Sequence, residues 1–420
     1  VYRAYVVPGE APSAEAVAHV EAAAEAAARE VPGRADEVRL LADLALGRLG
    51  RDLLRDEFTV RFQQTTGPVM AKGVEDTAFY RYLRLAALNE VGGDPGTAGQ
   101  RPDRVHAWAE RRQATHPWGQ TALSTHDTKR SEDVRARLAL LSEVPDAWAE
   151  ALAGFREAAA PHRPAAPEVH PADEYLLWQT LVGAWPLDGE RLAAYMAKAM
   201  REAKLRTTWA TPDAPYEAAV DGFARAVAAD PAVRGAVDGF VRGLAPHWRA
   251  NVLSQKLVQL TLPGVADGYQ GCEVVDLSLV DPDNRRPVDH DAIAGRLRRL
   301  DGGGRPGDLD DEKLLVTATA LRLRRDHPEW FTGPDAGYAP LPTGSVHAFG
   351  FVRAGRVVTV ATRLPATLEG DGGWGPATVA LPPGRWTDLL TGAPPRDGVV
   401  AAADLLGDLP VALLVREDAP

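Results

Sequence analysis

Three short stretches carry residue types that could do chemistry. The densest is Ser124-Thr125-His126-Asp127-Thr128-Lys129-Arg130, a polar and ionisable run between a short segment, Thr121 to Thr125, and the start of a helix. Such a run marks the carboxyl end of a βα unit, where barrel enzymes place their chemistry. An aspartate beside a histidine can stabilise developing positive charge or hold a sugar through two hydrogen bonds. Asp127 and Thr128 would serve equally well as caps of the helix behind them. The second stretch is Lys72-Gly73-Val74-Glu75-Asp76-Thr77. A lysine after a Gly/Pro-containing loop, followed by two acids, suits a rim that binds hydroxyl groups. Acids in a first helical turn are also favoured by the helix dipole alone. The third joins Tyr269-Gln270-Gly271-Cys272-Glu273 to the charged run from Asp281 to Asp289. Its Pro and Asn favour a folded loop over a helix, with Arg285 and Arg286 placed to pin neighbouring carboxylates.

Other chemistries find no support. No HExxH spacing, Walker sequence or dinucleotide glycine fingerprint occurs, so neither a metal nor an organic cofactor is implied. The single cysteine, Cys272, excludes an internal disulfide and any multi-cysteine metal site, and reads as a small buried side chain. A net charge of -11, from 47 basic and 58 acidic side chains, argues against a nucleic-acid surface. No run approaches the roughly 20 apolar residues of a membrane span. No charged-then-apolar leader stands at Val1, which leads to the expectation of a cytoplasmic protein. Trp108, Trp118, Trp185 and Trp209 lie among helical patterns, where they serve either a core or the stacking of sugar rings.

The elements that must position these residues are mostly helical. Val1 to Val7 reads as a strand without lead-in, as if the chain began inside a domain, and Pro8-Gly9 ends it. Ser13 then caps an alanine-rich helix from Ala14 to Glu30, and Asp36 opens a second. From Arg61, the residues Thr65-Thr66-Gly67-Pro68 read as a loop, followed by a helix from about Glu75. Residues 147–250 are almost wholly helical in pattern, with a Pro-rich linker over 161–171. A further helix passes through Leu253, Leu257 and Leu260, and another spans about Asp311 to Arg325. After Gly344 the texture turns to short strands, over 346–352, 357–361, 377–381 and 411–415, which suggest a small sandwich. Isolated strands among helices fit a parallel sheet, but three are too few to complete one. The length of 420 residues allows two or three domains.

Taken together, the clusters resemble the trehalose-forming synthases of glycoside hydrolase family 13, the α-amylase family. The matching stretches are FQQTTGPVMAKGVEDTAFYRY (62–82), LNEVGGDP (88–95), STHDTKRSEDVRARL (124–138) and LTLPGVADGYQGCEVVDLSLVDPDNRRPVD (260–289). DEYLLWQTLVGAWP (173–186) and REAKLRTTWATP (201–212) add to them. THDTKR alone would indicate only an α-amylase relative, whereas MAKGVEDTAFYRY with DPDNRRPVD is specific to the trehalose-forming branch. The resemblance implies a reaction in which the reducing-end α-1,4 linkage of a maltooligosaccharide becomes an α,α-1,1 linkage. It implies Asp127 as the acid that stabilises the transition state, with His126 beside it donating to sugar hydroxyls. Lys72, with Glu75, would line the acceptor side, and Lys129, which falls with Arg130 in the Asp127 loop, would also bind substrate. Asp283, Arg285 and Arg286 match the family's loop after the last barrel strand, in a structural role.

The resemblance further implies an α/β chain: the last strands of a (β/α)8 barrel with large helical insertions, then a carboxy-terminal antiparallel β-sandwich. On that reading residues 1–146 are a barrel segment with a helical insertion, leading to the His126-Asp127 loop. Residues 147–250 are a helical insertion, 251–335 the closing barrel segment and 336–420 the sandwich. The family's nucleophilic aspartate and acid/base glutamate would lie upstream of Val1. The expected partners are then an α-1,4-glucan and the amino-terminal half of the same enzyme, without which the chain would be inactive. Two other readings stand beside this one: a glycoside hydrolase of the same family, and a non-catalytic glycan-binding module.

Overall fold

In the computed structural model, which describes residues 2, 4–97 and 99–417, Ser13 caps the first helix, α1 (Ala14–Glu30). Its Oγ accepts the Ala16 amide at 3.1 Å. The chain divides into two units, Val1–Arg81 and Tyr82–Pro420. In the smaller, α1 packs against α2 (Ala35–Ala45), and α2 against α3 (Leu53–Met70). Ala4, Val6, Ala16, Val20 and Leu46 form a small apolar cluster within it.

Three expectations fail in this unit. Of the segment expected to be a strand, Val1 and Arg3 lie outside the described residues, and Ala4 to Val7 form no strand. The polar backbone of Val6 finds a side chain in place of a neighbouring strand. Its amide donates to Gln63 Oε1 at 2.9 Å and its carbonyl accepts from Gln63 Nε2 at 2.8 Å. The expected loop at Thr65-Thr66-Gly67-Pro68 is helical: α3 runs through Pro68 and passes into a π-helical turn, Ala71–Glu75. Proline inside a helix removes one amide donor. Here Thr65 and Thr66 donate their hydroxyls to the carbonyls of Arg61 and Gln63, both at 2.8 Å. The expected helix from Glu75 is instead the end of that π turn and a short 3-10 turn, Ala78–Tyr80.

The larger unit opens with α4 (Pro102–Thr115), then β1 (Gln120–Thr121) and α5 (Glu132–Ala139). Helices α6 (Pro145–Ala158), α7 (Pro171–Gly183), α8 (Gly189–Ala203) and α9 (Ala214–Ala229) follow. Then comes α10 (Pro231–Thr261), capped by Asp230 through the amides of Ala232 and Val233 and continuous across the expected division between residues 250 and 251. Its Leu253, Leu257 and Leu260 are fully or nearly fully buried, an apolar face that carries the helix on past that point.

Strand β2 (Val265–Ala266) pairs in parallel with β1, Gln120 facing Val265 and Thr121 facing Ala266. Gly264 makes this approach possible. Its φ is +113°, and a Cβ there would stand 2.0 Å from the Gly119 carbonyl oxygen, which accepts the Val265 amide at 3.0 Å. Gln259 of α10 satisfies the far ends of both strands, donating to the carbonyls of Thr121 and Asp267 at 3.0 Å.

After α11 (His290–Asp301) and α12 (Leu309–Asp326) the chain becomes mostly β. Strands β3 (Tyr338–Pro340), β4 (Ala348–Arg353) and β5 (Val357–Thr362) precede the short helix α13 (Pro365–Gly370). Strands β6 (Thr378–Ala380), β7 (Trp386–Asp388) and β8 (Val399–Ala401), helix α14 (Ala402–Leu406) and strand β9 (Val411–Arg416) complete it. The antiparallel order is β3-β4-β5-β9-β7, with β6 and β8 a separate antiparallel pair. Alternation along β5 divides its burial: Val358 and Val360 join Val379 and Val400 of the small pair, while Val357 and Ala361 meet α10 and α12. The fold is thus mixed α/β, with a helical body anchored to an antiparallel sheet through a shared apolar core.

Candidate active site

Parallel strands β1 and β2 end side by side, and the residues singled out for chemistry in the larger unit lie beyond those ends. After β1 the chain enters a tight turn. The Thr125 amide donates to Thr128 Oγ1 at 2.7 Å and the Asp127 amide to Thr125 Oγ1 at 3.3 Å. His126 is exposed at the tip and Asp127 is half-buried, whereas Thr128, Lys129, Arg130 and Ser131 are buried. Lys129 Nζ lies 3.3 Å from Asp127 Oδ1, the lysine side chain 2% exposed and the aspartate 42%. Asp127 therefore presents a fixed carboxylate to solvent, not a helix cap: α5 begins only at Glu132.

The turn is fastened from several directions. Ser124 Oγ donates to Glu132 Oε2 at 3.1 Å and accepts the Glu132 amide at 3.0 Å, which closes the loop on the first turn of α5. Arg130 donates to Tyr195 Oη and to the Ala86 carbonyl. Glu90 accepts the amides of Lys129 and Arg130 and pairs with Arg135. From the loop after β2, Asn284 Nδ2 donates to the carbonyl of His126 at 3.1 Å, and Tyr269 donates its hydroxyl to the Asn284 carbonyl at 3.1 Å.

Beneath the turn lies a buried group of charges. Lys313 Nζ approaches Asp133 Oδ2 at 2.6 Å and Glu132 Oε1 at 2.9 Å, and Lys256 Nζ reaches Glu132 Oε1 at 2.6 Å; none of the four side chains is more than 2% exposed. Burial alone would raise the Glu132 carboxyl, but Lys313 and Lys256 together bring it down to about 2. Burial dominates at Asp133, lifting it to about 6 in spite of Lys313, with Glu132 adding to the rise. Asp133 also accepts the Asp276 amide at 2.8 Å, which ties α5 to the segment joining the two parts of the third cluster.

In that cluster Asp283 accepts from Arg191 Nε and Nη2, each at 2.8 Å, and from the Leu279 amide at 2.7 Å. Burial works against its charge, yet Arg191 holds its carboxyl below the ordinary range. Arg286 reaches Asp283 at 3.2 Å and Arg285 lies 3.8 Å from Asp281, both arginines being exposed. Cys272 is buried, and desolvation pushes its thiol well up, away from nucleophilic use.

Lys72 and Glu75 belong to the smaller unit, in the π turn after α3. Lys72 is exposed and donates to Asp76 Oδ2 at 2.5 Å. Glu75 is half-buried. Of the expected site residues, His126, Asp127 and Lys129 thus share one turn, and Asp283 and its arginines share the neighbouring loop. Sequence reasoning missed Glu90, Arg135, Asn284, Lys256 and Lys313. Glu90, Arg135 and Asn284 lie inside the quoted motif stretches, which is the signal that could have found them. Among the described residues there is no group of three or more metal-ligating side chains, and no helix is long and apolar enough to cross a membrane.

No family model matches the chain. A putative maltooligosyl trehalose synthase of Mycobacterium tuberculosis is 42% identical over 373 residues, which is 86% of this chain and 46% of that protein. The solved maltooligosyltrehalose synthase of Arthrobacter ramosus is 40% identical with a TM-score of 0.87, over 99% of this chain and 52% of that one. A hypothetical maltooligosyl trehalose synthase of Sulfolobus tokodaii is 30% identical with a TM-score of 0.71, over 87% of this chain and 47% of that one. The chain spans about half the length of these relatives. Agreement of sequence and backbone over nearly its whole extent places it: the chain belongs to the maltooligosyltrehalose synthase family.

Proposed function

We propose that the chain is the carboxy-terminal half of an intramolecular transglucosylase. The enzyme would convert the reducing-end α-1,4 linkage of a maltooligosaccharide into an α,α-1,1 linkage. The remaining half, with the nucleophilic aspartate and the acid/base glutamate, would come from the residues that the relatives carry beyond the matched portion. In this reading β1 and β2 are the last two strands of a (β/α)8 barrel, residues 147–250 a helical insertion, and residues 336–420 a β-sandwich.

The observation that carries the reading is Asp127: a carboxylate left 42% exposed on a turn whose backbone is fastened by buried groups, past the end of a parallel strand. A retaining glycosyl transfer passes through an oxocarbenium-like transition state twice, once to form and once to break the glycosyl-enzyme bond. A fixed anion beside the cleaved sugar stabilises the charge that develops there and costs no reorganisation as it does so. Lys129 holds the Asp127 oxygen, and exposed His126 reaches sugar hydroxyls. Lys72, with Glu75, would line the acceptor side, where freed glucose must turn and attack through its anomeric hydroxyl before water does. Asp283, Arg285 and Arg286 shape the adjoining loop.

The test uses the full-length enzyme on maltopentaose. The expected product has lost its reducing end and carries a terminal trehalose unit, and the present chain alone leaves the substrate unchanged. Asp127→Asn lowers kcat about 10²–10³-fold with little change in KM. Release of only glucose and shorter maltooligosaccharides would replace the isomerase reading with a hydrolase. A near-normal rate for Asp127→Asn removes that residue from the catalytic set.

A further inference from the structure

Glu90 lies in the stretch LNEVGGDP. Its side chain is 16% exposed and meets the backbone of the Asp127 turn. Oε1 and Oε2 accept the Lys129 amide at 3.2 and 3.1 Å, and Oε2 lies 3.4 Å from the Arg130 amide. The same Oε2 receives Arg135 Nη1 at 2.8 Å. Arg135 in turn donates Nη1 to the Arg130 carbonyl at 2.6 Å and Nη2 to the Leu123 carbonyl. Leu123 and Arg130 bracket the turn that carries His126 and Asp127. One ion pair thus grips both ends of that turn, and every bond it makes to the turn is to main-chain atoms.

We propose that Glu90, with Arg135 as its counterion, is the positioning residue for Asp127, an inference that rests on the role given to Asp127 above. Main-chain bonds at both ends fix where the carboxylate stands and leave its chemistry alone. A displacement of about 1 Å at a reacting group can cost about 10²-fold in rate. Gripping the turn therefore matters to the transition state far more than to ground-state binding.

The experiment is a double-mutant cycle in the full-length enzyme with maltopentaose. Glu90→Gln keeps the size and one acceptor oxygen but loses the charge that orients Arg135. Its expected result is a kcat about 10- to 100-fold lower, with KM changed less than about twofold. The double variant with Asp127→Asn should be no slower than Asp127→Asn alone, because Glu90 would then have nothing left to position. Arg135→Lys repeats the cycle should Glu90→Gln fail to fold, and the same lack of additivity is expected. An undiminished kcat for both clasp variants, or equal losses with and without Asp127, overturns the positioning role. A near-normal rate for Asp127→Asn by itself brings down the functional reading instead, and the two failures are told apart by that single variant.

Discussion

The turn bearing Asp127 and the turn bearing Lys72 both stood out by charge, yet the protein holds them in opposite ways. Around Asp127 the supports are buried and join distant segments: Glu132 and Asp133, just beyond the turn in α5, pair with Lys256 of α10 and Lys313 of α12. Lys72 is 78% exposed and meets Asp76 four residues on, where the π turn ends. Exposed pairs of that kind are worth at most about 1 kcal/mol. On the role proposed for Asp127, a carboxylate facing a developing cation could not be left to find its place, and buried contacts supply the fixation. On the proposed roles, the contrast would separate a pre-set electrostatic group at Asp127 from an adaptable binding rim at Lys72.

The largest expected effect lies under the fixed turn. Lys313 faces both Glu132 and Asp133, and Lys313→Met would leave Asp133 buried without its cation. Removing one partner of a buried ion pair costs about 3–5 kcal/mol, because the other charge stays desolvated. Denaturant unfolding of Lys313→Met should show a loss of that size. A loss under about 1 kcal/mol would mean that the buried charges do not hold the turn, and the contrast with Lys72 would collapse.

The same support has a pH signature. Glu132 is held at about 2 against an ordinary 4.5, so it contributes stability that is complete above about pH 4.5 and is lost as the pH falls toward 2. Glu132→Gln should therefore cost about 3 kcal/mol at pH 6, and the difference from the parent should shrink steadily on acidification. A cost that stays constant between pH 6 and pH 3 would deny Glu132 its ionised role.

How much of this was readable in the residues depends on range. The cap at Ser13 and the run behind it define α1 by local signals alone, and the strands β4, β5, β6 and β9 follow their β-rich composition to within a few residues. The helix through Pro68 was not readable, because Thr, Gly and Pro all argue for a loop until the threonine hydroxyls are seen on their own helix. Val6 sits in a strand-like stretch, but a strand needs a neighbour, and Gln63, 57 residues away, takes that place. At the site, the chemistry-bearing turn was legible and its supports were not. Lys313 meets Asp133 across 180 residues and Asn284 meets His126 across 158, so no spacing rule could join them.

Asn284 gives a smaller effect that sharpens the comparison from the opposite side of the turn. Asn284→Ala withdraws the donor to the His126 carbonyl, with an expected stability cost of about 1–2 kcal/mol and a fall in kcat in the full-length enzyme. Unchanged kcat with reduced stability would make Asn284 a structural residue alone.

The smallest expected stability effect belongs to the rim. Lys72→Ala removes an exposed lysine paired within its own turn, and such surface substitutions usually shift stability by less than about 0.5 kcal/mol. If the rim binds hydroxyl groups of the acceptor sugar, the change should appear elsewhere. More substrate would be lost to hydrolysis, because glucose held less firmly leaves before it can attack. The measurement is the ratio of free glucose to trehalose-terminated product, with the unfolding midpoint taken on the same sample. A raised ratio at unchanged stability places Lys72 on the acceptor side. An unchanged ratio leaves the comparison with only one functional arm, the fixed turn at Asp127.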